Sequence, residues 1–508
     1  MSHYNHGDMN VALQPWRHEC RGTATATFMS RYGITRITSY MRTSQKYSAL
    51  FVLFLVVLSA CAPSASVNSS TQTPRPTATP AAKPSAQETP TPAASRLNVA
   101  KEALRGAQVT VWHPWFGAEA ALFESQVAQF NAGNEWGIVV RAEGKSSFSE
   151  LFSQVNAAFD ESNDPNVAIV LPEYALEWRE RVVDLNDYLG DPEYGMSGLE
   201  VSEFPTVIWR QDEVDGARLG MPAQRTGRFI LYNQTWAREL GFDSPPETSP
   251  EFEQQACAAN KALASDADAN NDALGGWLVD AHPMTPLSWM LAFGGGVESG
   301  NGYHFLAQEN IDAFKFVKSL QQKGCAWVAS AGTSVYDRFA SRQALFASAS
   351  LEEFVDQSRA FNALGSGDEW IVLPFPGPER TAFVVYGSSF VVFESDDVTQ
   401  LASWLFIRWA LSAENQARWA QGTGMFPLRS STMDLLADYS ISHPQWMEAV
   451  NLLPNGEPTP KLSSWRTVKI MMQDGFRDMF DTIRHPDLTE GQVPLILRQM
   501  DEIANELN

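Results

Sequence analysis

"AQVTVWHPWFGAEAALFESQVAQFN", residues 107–131, is the stretch on which the reading of this chain turns. Ala107 to Trp112 form a short β-branched run, the pattern of a buried strand. From Glu119 the period changes, and Phe123, Val127 and Phe130 fall on one stripe of a helix. The unit then repeats. "GIVVRAE" (137–143) reads as a second strand, Phe148, Leu151, Phe152, Val155 and Phe159 share a helical face over 148–160, and "NVAIV" (166–170) reads as a third strand. Strands and helices alternating at this length predict an α/β fold, a parallel sheet with helices on its faces.

In such sheets ligands sit beyond the carboxyl ends of the strands. The loops at those ends are "HPWFGAE" (113–119), "GKSSFSE" (144–150) and "LPEYALEW" (171–178). Each mixes aromatic rings with hydroxyls, amides or carboxylates. A flat sugar face stacks on an indole or phenol while its hydroxyls meet carboxylates and amides, so the mixture suits a polyol. The same mixture occurs at protein interfaces.

Further along, "RFILYN" (228–233) is strand-like and leads into a short helix that stops at Gly241. Thr248 and Glu251 stand at capping-box spacing with Pro250 in the first turn, which predicts a helix start. "LSWMLAFGGG" (287–296) is an apolar helix ended by glycines. "AFVVYGSSFVVF" (382–393) reads as two strand runs broken at Gly387-Ser388, and the stretch from Leu401 as one long amphipathic helix ahead of a Gly-Thr-Gly break. No internal repeat is present.

Upstream the composition changes. Ala49 to Ala60 is an uncharged apolar run of twelve residues, short of the roughly 20 that a permanent membrane span needs. With Arg42 and Lys46 before it and Ser59-Ala60 at its end, it reads as the h-region of a secretory signal. Cys61 follows at once, and "LSAC" resembles the lipobox of bacterial lipoproteins, which implies that Cys61 becomes the lipidated first residue. Because residues 1–40 push the signal far from the start, translation is expected to begin at Met41. Residues 62–95 hold seven prolines and almost no large apolar side chain. Such a segment buries too little surface to offset its ordering entropy, so residues 61–97 are expected to be an extended tether.

Six of the 37 Lys/Arg and two of the 59 Asp/Glu lie in the first 60 residues, leaving 31 bases against 57 acids, a formal net charge of about −26. That charge disfavours nucleic acid and anionic lipid as partners. Of the remaining cysteines, Cys257 and Cys325 enter an oxidising space, where a pair forms either a disulfide or two separate buried thiols.

Taken together, the landmarks "VTVWHPWFGAEAALFESQVAQFNAG", "LGMPAQRTGRFILYNQTWARELGF", "SPPETSPEF", "WMLAFGGG" and "QGTGMFPLRSS" resemble the family 1 extracellular solute-binding proteins, the sugar-binding lipoproteins that serve ABC importers. The resemblance runs from about residue 107 to 430. The chain departs from the family's pattern at Phe229, where a small residue is usual, and at Thr248-Ser249, where Thr-Trp is common. The resemblance implies a type II periplasmic-binding fold, two α/β lobes joined by hinge strands and closing on a ligand between them. The chain would cross near 224–230, return near 380–386 and cross again near 428. Lobe 1 is then 98–226 with 383–428, and lobe 2 is 227–382 with 429–508. It further implies a monomer that takes a sugar and docks on ABC permease subunits, with the membrane met through the lipid anchor and no cofactor.

Candidate ligand contacts are the aromatics Trp112 and Trp115 with Glu119 after the first strand, and Ser146 and Ser147 ahead of the second helix. Glu173 and Tyr174 after the third strand, Arg225 at the first crossover, Trp289 and Gly295 in the second lobe, and Tyr386 and Gly387 at the recrossing complete the set. Each has a plain structural alternative: Glu119 at a helix N-terminus, a serine as N-cap, Arg225 as a tie between lobes. Asp266, Asp268, Asn270 and Asp272 alternate as a calcium loop begins, yet Asn271 and Trp277 stand where such a loop needs Gly and Glu, so a solvated loop is expected.

Paired acids and aromatics also line glycosidase clefts, which keeps a lipid-anchored hydrolase as the competing class. The chain has no Gly-x-Ser-x-Gly, no His-Glu-x-x-His and no phosphate-binding glycine loop, and the five histidines after residue 60 are scattered. A binder of glycerol-3-phosphate or its diesters is the alternative ligand class, suggested by Arg225 and the two serines. A sensor that kept the fold without transport is a third reading.

Overall fold

The computed structural model describes residues 94–508 apart from 162, 330, 331 and 333. The signal segment, Cys61 and nearly all of the tether lie outside the described residues. Ser95 and Arg96, expected to belong to the tether, are instead bound to the folded body: Asp191 accepts from the Ser95 hydroxyl at 3.0 Å and from the Arg96 amide at 2.8 Å.

The opening units fold as their periodicity requires. Strand β1 (Gln108–His113) leads into α1 (Gly117–Gly133), which buries Phe123, Val127 and Phe130. Strand β2 (Val139–Gly144), α2 (Phe148–Glu161), β3 (Val167–Val170) and the short α3 (Pro172–Glu177) follow. β1 pairs in parallel with both β2 and β3. The chain then enters the 13-residue β4 (Met221–Asn233), buried along all of its length except Gln224.

Beyond β4 lies α4 (Ser249–Leu263), started by the capping box of Thr248 and Glu251 with a proline in its first turn. Then come β5 (Trp277–Val279), α5 (Met284–Ala292), α6 (Gln308–Gln322), β6 (Ala326–Val328), β7 (Phe346–Ser350) and α7 (Phe354–Leu364). Strands β8 (Trp370–Leu373) and β9 (Phe375–Pro376) precede β10 (Thr381–Val392). The two runs expected at 382–393 form this single strand. Its register against β4 shifts between Ser388 and Ser389, so a bulge stands where a break was expected. The long helix expected from Leu401 is divided into α8 (Asp397–Ala410) and α9 (Ala413–Thr423), because the Ser412 side chain caps a new start at the Asn415 amide. The chain ends with α10 (Pro444–Asn451), β11 (Gly456–Pro458), α11 (Trp465–Phe480) and α12 (Val493–Leu507).

The strand order is β6-β5-β7-β4-β10-β3-β1-β2, with β8 beside β4 and both β9 and β11 beside β10. The path holds two α/β halves that share β4. Its first part, Met221–Gly227, pairs antiparallel with β10, and its second part pairs with β7 on one edge and β8 on the other. β10 in turn pairs with β3. Two adjacent strands therefore carry the chain between halves, and the Phe426 amide binds the Arg225 carbonyl at 3.0 Å where the chain passes a third time. A disulfide joins Cys257 on α4 to Cys325 ahead of β6, closing a loop of 68 residues. No helix among the described residues is long and apolar enough to cross a membrane.

Candidate functional site

Side chains alternate along a strand, so Gln224, Thr226 and Arg228 share one face of β4 while Arg225 faces the other. The first set collects groups from the carboxyl ends of strands in both halves. Arg228 is buried and donates from every nitrogen of its fork. Nε reaches the Thr285 hydroxyl at 3.1 Å, Nη1 the Ser350 hydroxyl at 3.1 Å and Glu353 Oε2 at 2.6 Å, and Nη2 Asp280 Oδ1 at 2.9 Å. Asp280 and His282 follow β5, and Ser350, Glu352 and Glu353 end or follow β7. The Tyr386 hydroxyl on β10 lies 2.7 Å from Ser350 Oγ, and its ring lies 5.6 Å from that of His282.

Electrostatics mark the same place. Glu352 Oε2 accepts the Thr226 hydroxyl at 2.8 Å. The side chain reaches solvent but stands hemmed in by protein, and desolvation with Glu353 beside it pushes its carboxyl up to about 7. Burial, then Arg228 and Lys469, hold the His282 imidazole down near about 3, so it is neutral at physiological pH. Burial and then Glu352 raise the Tyr386 phenol well above its usual value.

From the other half, the Trp115 indole donates to Gln224 Oε1 at 2.8 Å, and Glu119 also meets Gln224 while burial raises its carboxyl. The buried Glu173 is held by Lys469 of α11 at 2.5 Å, and Arg466 of the same helix reaches Glu177 at 3.4 Å and covers the Phe152 ring. The structure thus gathers Trp115, Glu119, Glu173, Tyr386 and Gly387 around the Gln224–Thr226–Arg228 face. Gly387 is required there: a Cβ at this positive-φ position would lie 2.1 Å from the Gln224 carbonyl oxygen.

Other expected contacts fall elsewhere. Arg225 is fully buried on the opposite face, with Nη2 on Asp212 at 2.7 Å and on Ser389 Oγ at 3.1 Å, and Nη1 on the Ser388 carbonyl. Its guanidinium is a tie between strands and is not presented to a ligand. Trp289 is fully buried among Phe252, Trp277, Phe316 and Phe375, because α5 is apolar on all sides and sits inside its half. Gly295 serves packing: a Cβ there would meet Asn310 Oδ1 at 2.2 Å. Tyr174 packs on Phe152 and Trp178, and Trp112 lies beneath the Lys145 ammonium, 3.7 Å from its ring. Ser147 Oγ accepts the Glu150 amide at 3.1 Å as an N-cap, while Ser146 is exposed at positive φ.

In the acidic loop, Asp266 and Asp268 accept the amides of Asp268 and Asn270, and Asn271 binds Asp266. No group of three His, Cys, Asp or Glu among the described residues is placed to hold a metal ion.

Sequence reading missed Arg228, His282, Glu352 and Lys469. For Arg228 a signal existed, since in "QRTGR" the alternation puts it with Gln224 and sets Arg225 apart. For Lys469 none did, because its partner Glu173 lies almost 300 residues away.

No curated protein matches the chain by sequence. Among solved structures, the sugar-binding protein MalE of Xanthomonas citri superposes with a TM-score of 0.67 at 21% identity, over 79% of this chain and 97% of that one. The cyclic α-maltosyl-1,6-maltose binding protein of Arthrobacter globiformis gives 0.65 at 19%, over 79% and 99%. UgpB of Mycobacterium tuberculosis, solved with glycerophosphocholine, gives 0.62 at 17%, over 79% and 98%. These likenesses establish the fold, a periplasmic-binding architecture of two lobes. The family model for bacterial extracellular solute-binding proteins matches residues 125–449, well over half of the sequence, and the chain belongs to that family.

Proposed function

We propose that this protein captures a neutral carbohydrate between its two halves and delivers it to the permease of an ABC importer, held at the membrane by lipid on Cys61. Family membership implies an extracytoplasmic location and a solute-binding role. The boundaries we assign are 98–226 with 383–428 for one lobe and 227–382 with 429–508 for the other. The passage of β4 and β10 between the two sets of strands supports them.

The observation that carries the ligand class is the charge state of the gap. Its cations are already matched: Arg228 by Asp280 and Glu353, and Lys469 by Glu173. Arg225 is buried against Asp212. A phosphate would find carboxylates facing it and no uncommitted cation in this cluster, whereas sugar hydroxyls donate to carboxylates and accept from Tyr386 and the Gln224 amide. The solved neighbours include binders of maltose-type sugars and one solved with glycerophosphocholine, and the geometry favours the former.

Closure follows from sharing strands. A ligand that touches both halves favours the form in which both contacts exist. The test is a thermal-shift and tryptophan-fluorescence screen of mono- and oligosaccharides beside glycerophosphodiesters, with recovery of the bound compound. Saturable binding of a sugar recovered unchanged supports the reading. Binding of phosphodiesters alone overturns the ligand class, and product release overturns the binding role.

A further inference from the structure

One stretch of the chain carries three cations across the boundary between the halves. Residues 461–469, "KLSSWRTVK", hold Lys461, Arg466 and Lys469 and no acid, in a chain whose acids outnumber its bases. Each of the three reaches the other half, as the lobes are assigned above. Lys469 Nζ lies 2.5 Å from Glu173 Oε1 at the start of α3. Arg466 Nε lies 3.4 Å from Glu177 Oε2 at the end of the same helix, and the guanidinium stands 4.4 Å over the Phe152 ring of α2. Lys461 Nζ donates to the Glu213 carbonyl at 2.8 Å. We propose that this seam is an electrostatic latch that draws the two halves together without the help of a solute. The latch goes beyond the solute-binding reading and does not depend on which solute is bound.

Both sides of the seam are built into their own halves, so the contacts cannot form or break without moving one half against the other. On α11, Trp465, Val468 and Met472 are buried, while Arg466 and Lys469, three residues apart, share another face. The helix is fixed to α6 of its own half: the Phe476 and Phe314 rings lie 5.5 Å apart, Lys318 Nζ donates to the Met479 carbonyl at 2.7 Å, and Gln321 Nε2 donates to the Phe480 carbonyl at 3.0 Å. Lys461 is tied to the same half by its amide, which donates to Glu298 Oε2 at 3.0 Å. Across the boundary, α3 is held by Tyr174 packing on Phe152 and Trp178. The stretch starts three residues after β11, which pairs with β10, so it begins at the strands about which the halves turn.

Ion pairs in full solvent bias such an equilibrium little. Here the Glu173 and Lys469 side chains are 5% and 17% exposed, so their attraction is weakly screened, although bringing them together costs hydration. Arg466 and Glu177 remain partly hydrated and lose less on closing. Together the three contacts should favour the closed form by roughly fivefold over the same chain without them. A solute enters only while the latch is open and is then held by both halves. The latch therefore slows capture and tightens retention.

The experiment is small-angle scattering of the full chain, refolded from urea to strip bound solute. It is run at salt concentrations of about 0.01 M and about 1 M, between which the Debye length falls from roughly 30 to roughly 3 Å. Wild type is compared with Lys461→Gln/Arg466→Gln/Lys469→Gln and with the charge swap Glu177→Arg/Arg466→Glu. At low salt the wild-type radius of gyration should be smaller than that of the triple variant, and at high salt the two should meet. The triple variant should be indifferent to salt. Arg466→Glu alone should be expanded at low salt, and the swap should recover compactness. If circular dichroism shows that the triple variant fails to fold, Arg466→Glu and its swap, at a side chain 37% exposed, decide in its place. A wild-type radius that ignores salt overturns the latch, as does a variant that expands with salt as much as wild type. Either result leaves the solute-binding reading intact, because that reading is tested by ligand capture and not by the shape of the solute-free chain.

Discussion

Replacing Arg228 by methionine tests the polar cluster most directly. The substitution keeps most of the aliphatic stem and removes the guanidinium, leaving Asp280 and Glu353 without the cation that stands 2.9 and 2.6 Å away. Breaking a buried pair by removing one partner costs roughly 3–5 kcal/mol. Two carboxylates lose their partner here, which raises the cost, but their side chains are 20% and 27% exposed, which lowers it by hydration. The expected loss is about 3 kcal/mol. With a urea dependence of roughly 3 kcal/mol/M for a chain of this size, the midpoint should fall by about 1 M. The assay is urea unfolding at pH 7 followed by tryptophan fluorescence and far-ultraviolet dichroism. Two controls sharpen it: Arg228→Lys, which keeps the charge and loses the fork, should fall between wild type and Arg228→Met, and the triple variant Arg228→Met/Asp280→Asn/Glu353→Gln should recover most of the loss. A midpoint for Arg228→Met within 0.2 M of wild type would refute the claim that the guanidinium holds these carboxylates together.

Glu352→Gln should change the pH dependence of folding. The folded carboxyl titrates near about 7, above its unfolded value, so the folded state holds more protons between those values and its contribution to stability declines as pH rises through that window. The glutamine variant should match wild type near pH 4.5 and exceed it in melting temperature at pH 8; identical pH profiles would contradict the reading. Replacing both Cys257 and Cys325 by serine releases a 68-residue loop and should cost about 4 kcal/mol on the chain-entropy model, measured as a denaturant midpoint under oxidising conditions. A loss below 1 kcal/mol would mean that the bridge constrains little. Lys469→Met leaves buried Glu173 unpaired where α11 meets α3, so sugar affinity should fall roughly tenfold with a larger radius of gyration in scattering, and Glu173→Gln/Lys469→Met should restore both. His113 is fully buried with no partner for either ring nitrogen among the described residues, and burial followed by Lys145 holds it near about 4. Its contribution is present above pH 6.5 and is lost as pH falls toward 4, so His113→Leu should flatten wild-type acid destabilisation over that range, and an unchanged acid limb would exclude this origin.

The α/β layering was legible because it rests on local periodicity: Phe123, Val127 and Phe130 stripe a helix whatever lies beyond it. The capping box at Thr248 and Glu251 was legible for the same reason, since three residues suffice to make it. The candidate site was legible only as loops. Trp115, Glu119 and Glu173 come to the gap because the carboxyl ends of parallel strands bring them there, but whether a side chain ends in solvent or against a neighbour depends on partners far along the chain. Trp112 lies under Lys145, Tyr174 under Phe152, and Glu173 on Lys469. Arg225 and Arg228 show the division most clearly. Both are arginines on one strand, three residues apart, and the pleat sends them to opposite faces with different counter-charges.

The bulge between Ser388 and Ser389 has a mechanical consequence. Where the register of β4 and β10 slips, a carbonyl is released from the ladder, and the Arg225 guanidinium takes it up while gripping Asp212, which belongs to neither strand. Any rotation of one half against the other must twist this two-stranded ribbon, because both strands run through it side by side. The ribbon thus acts as a torsion bar clamped at its irregular point from outside, by a charge pair sealed from solvent. Loosening that clamp would alter how far and how readily the halves swing without altering a single atom of the gap.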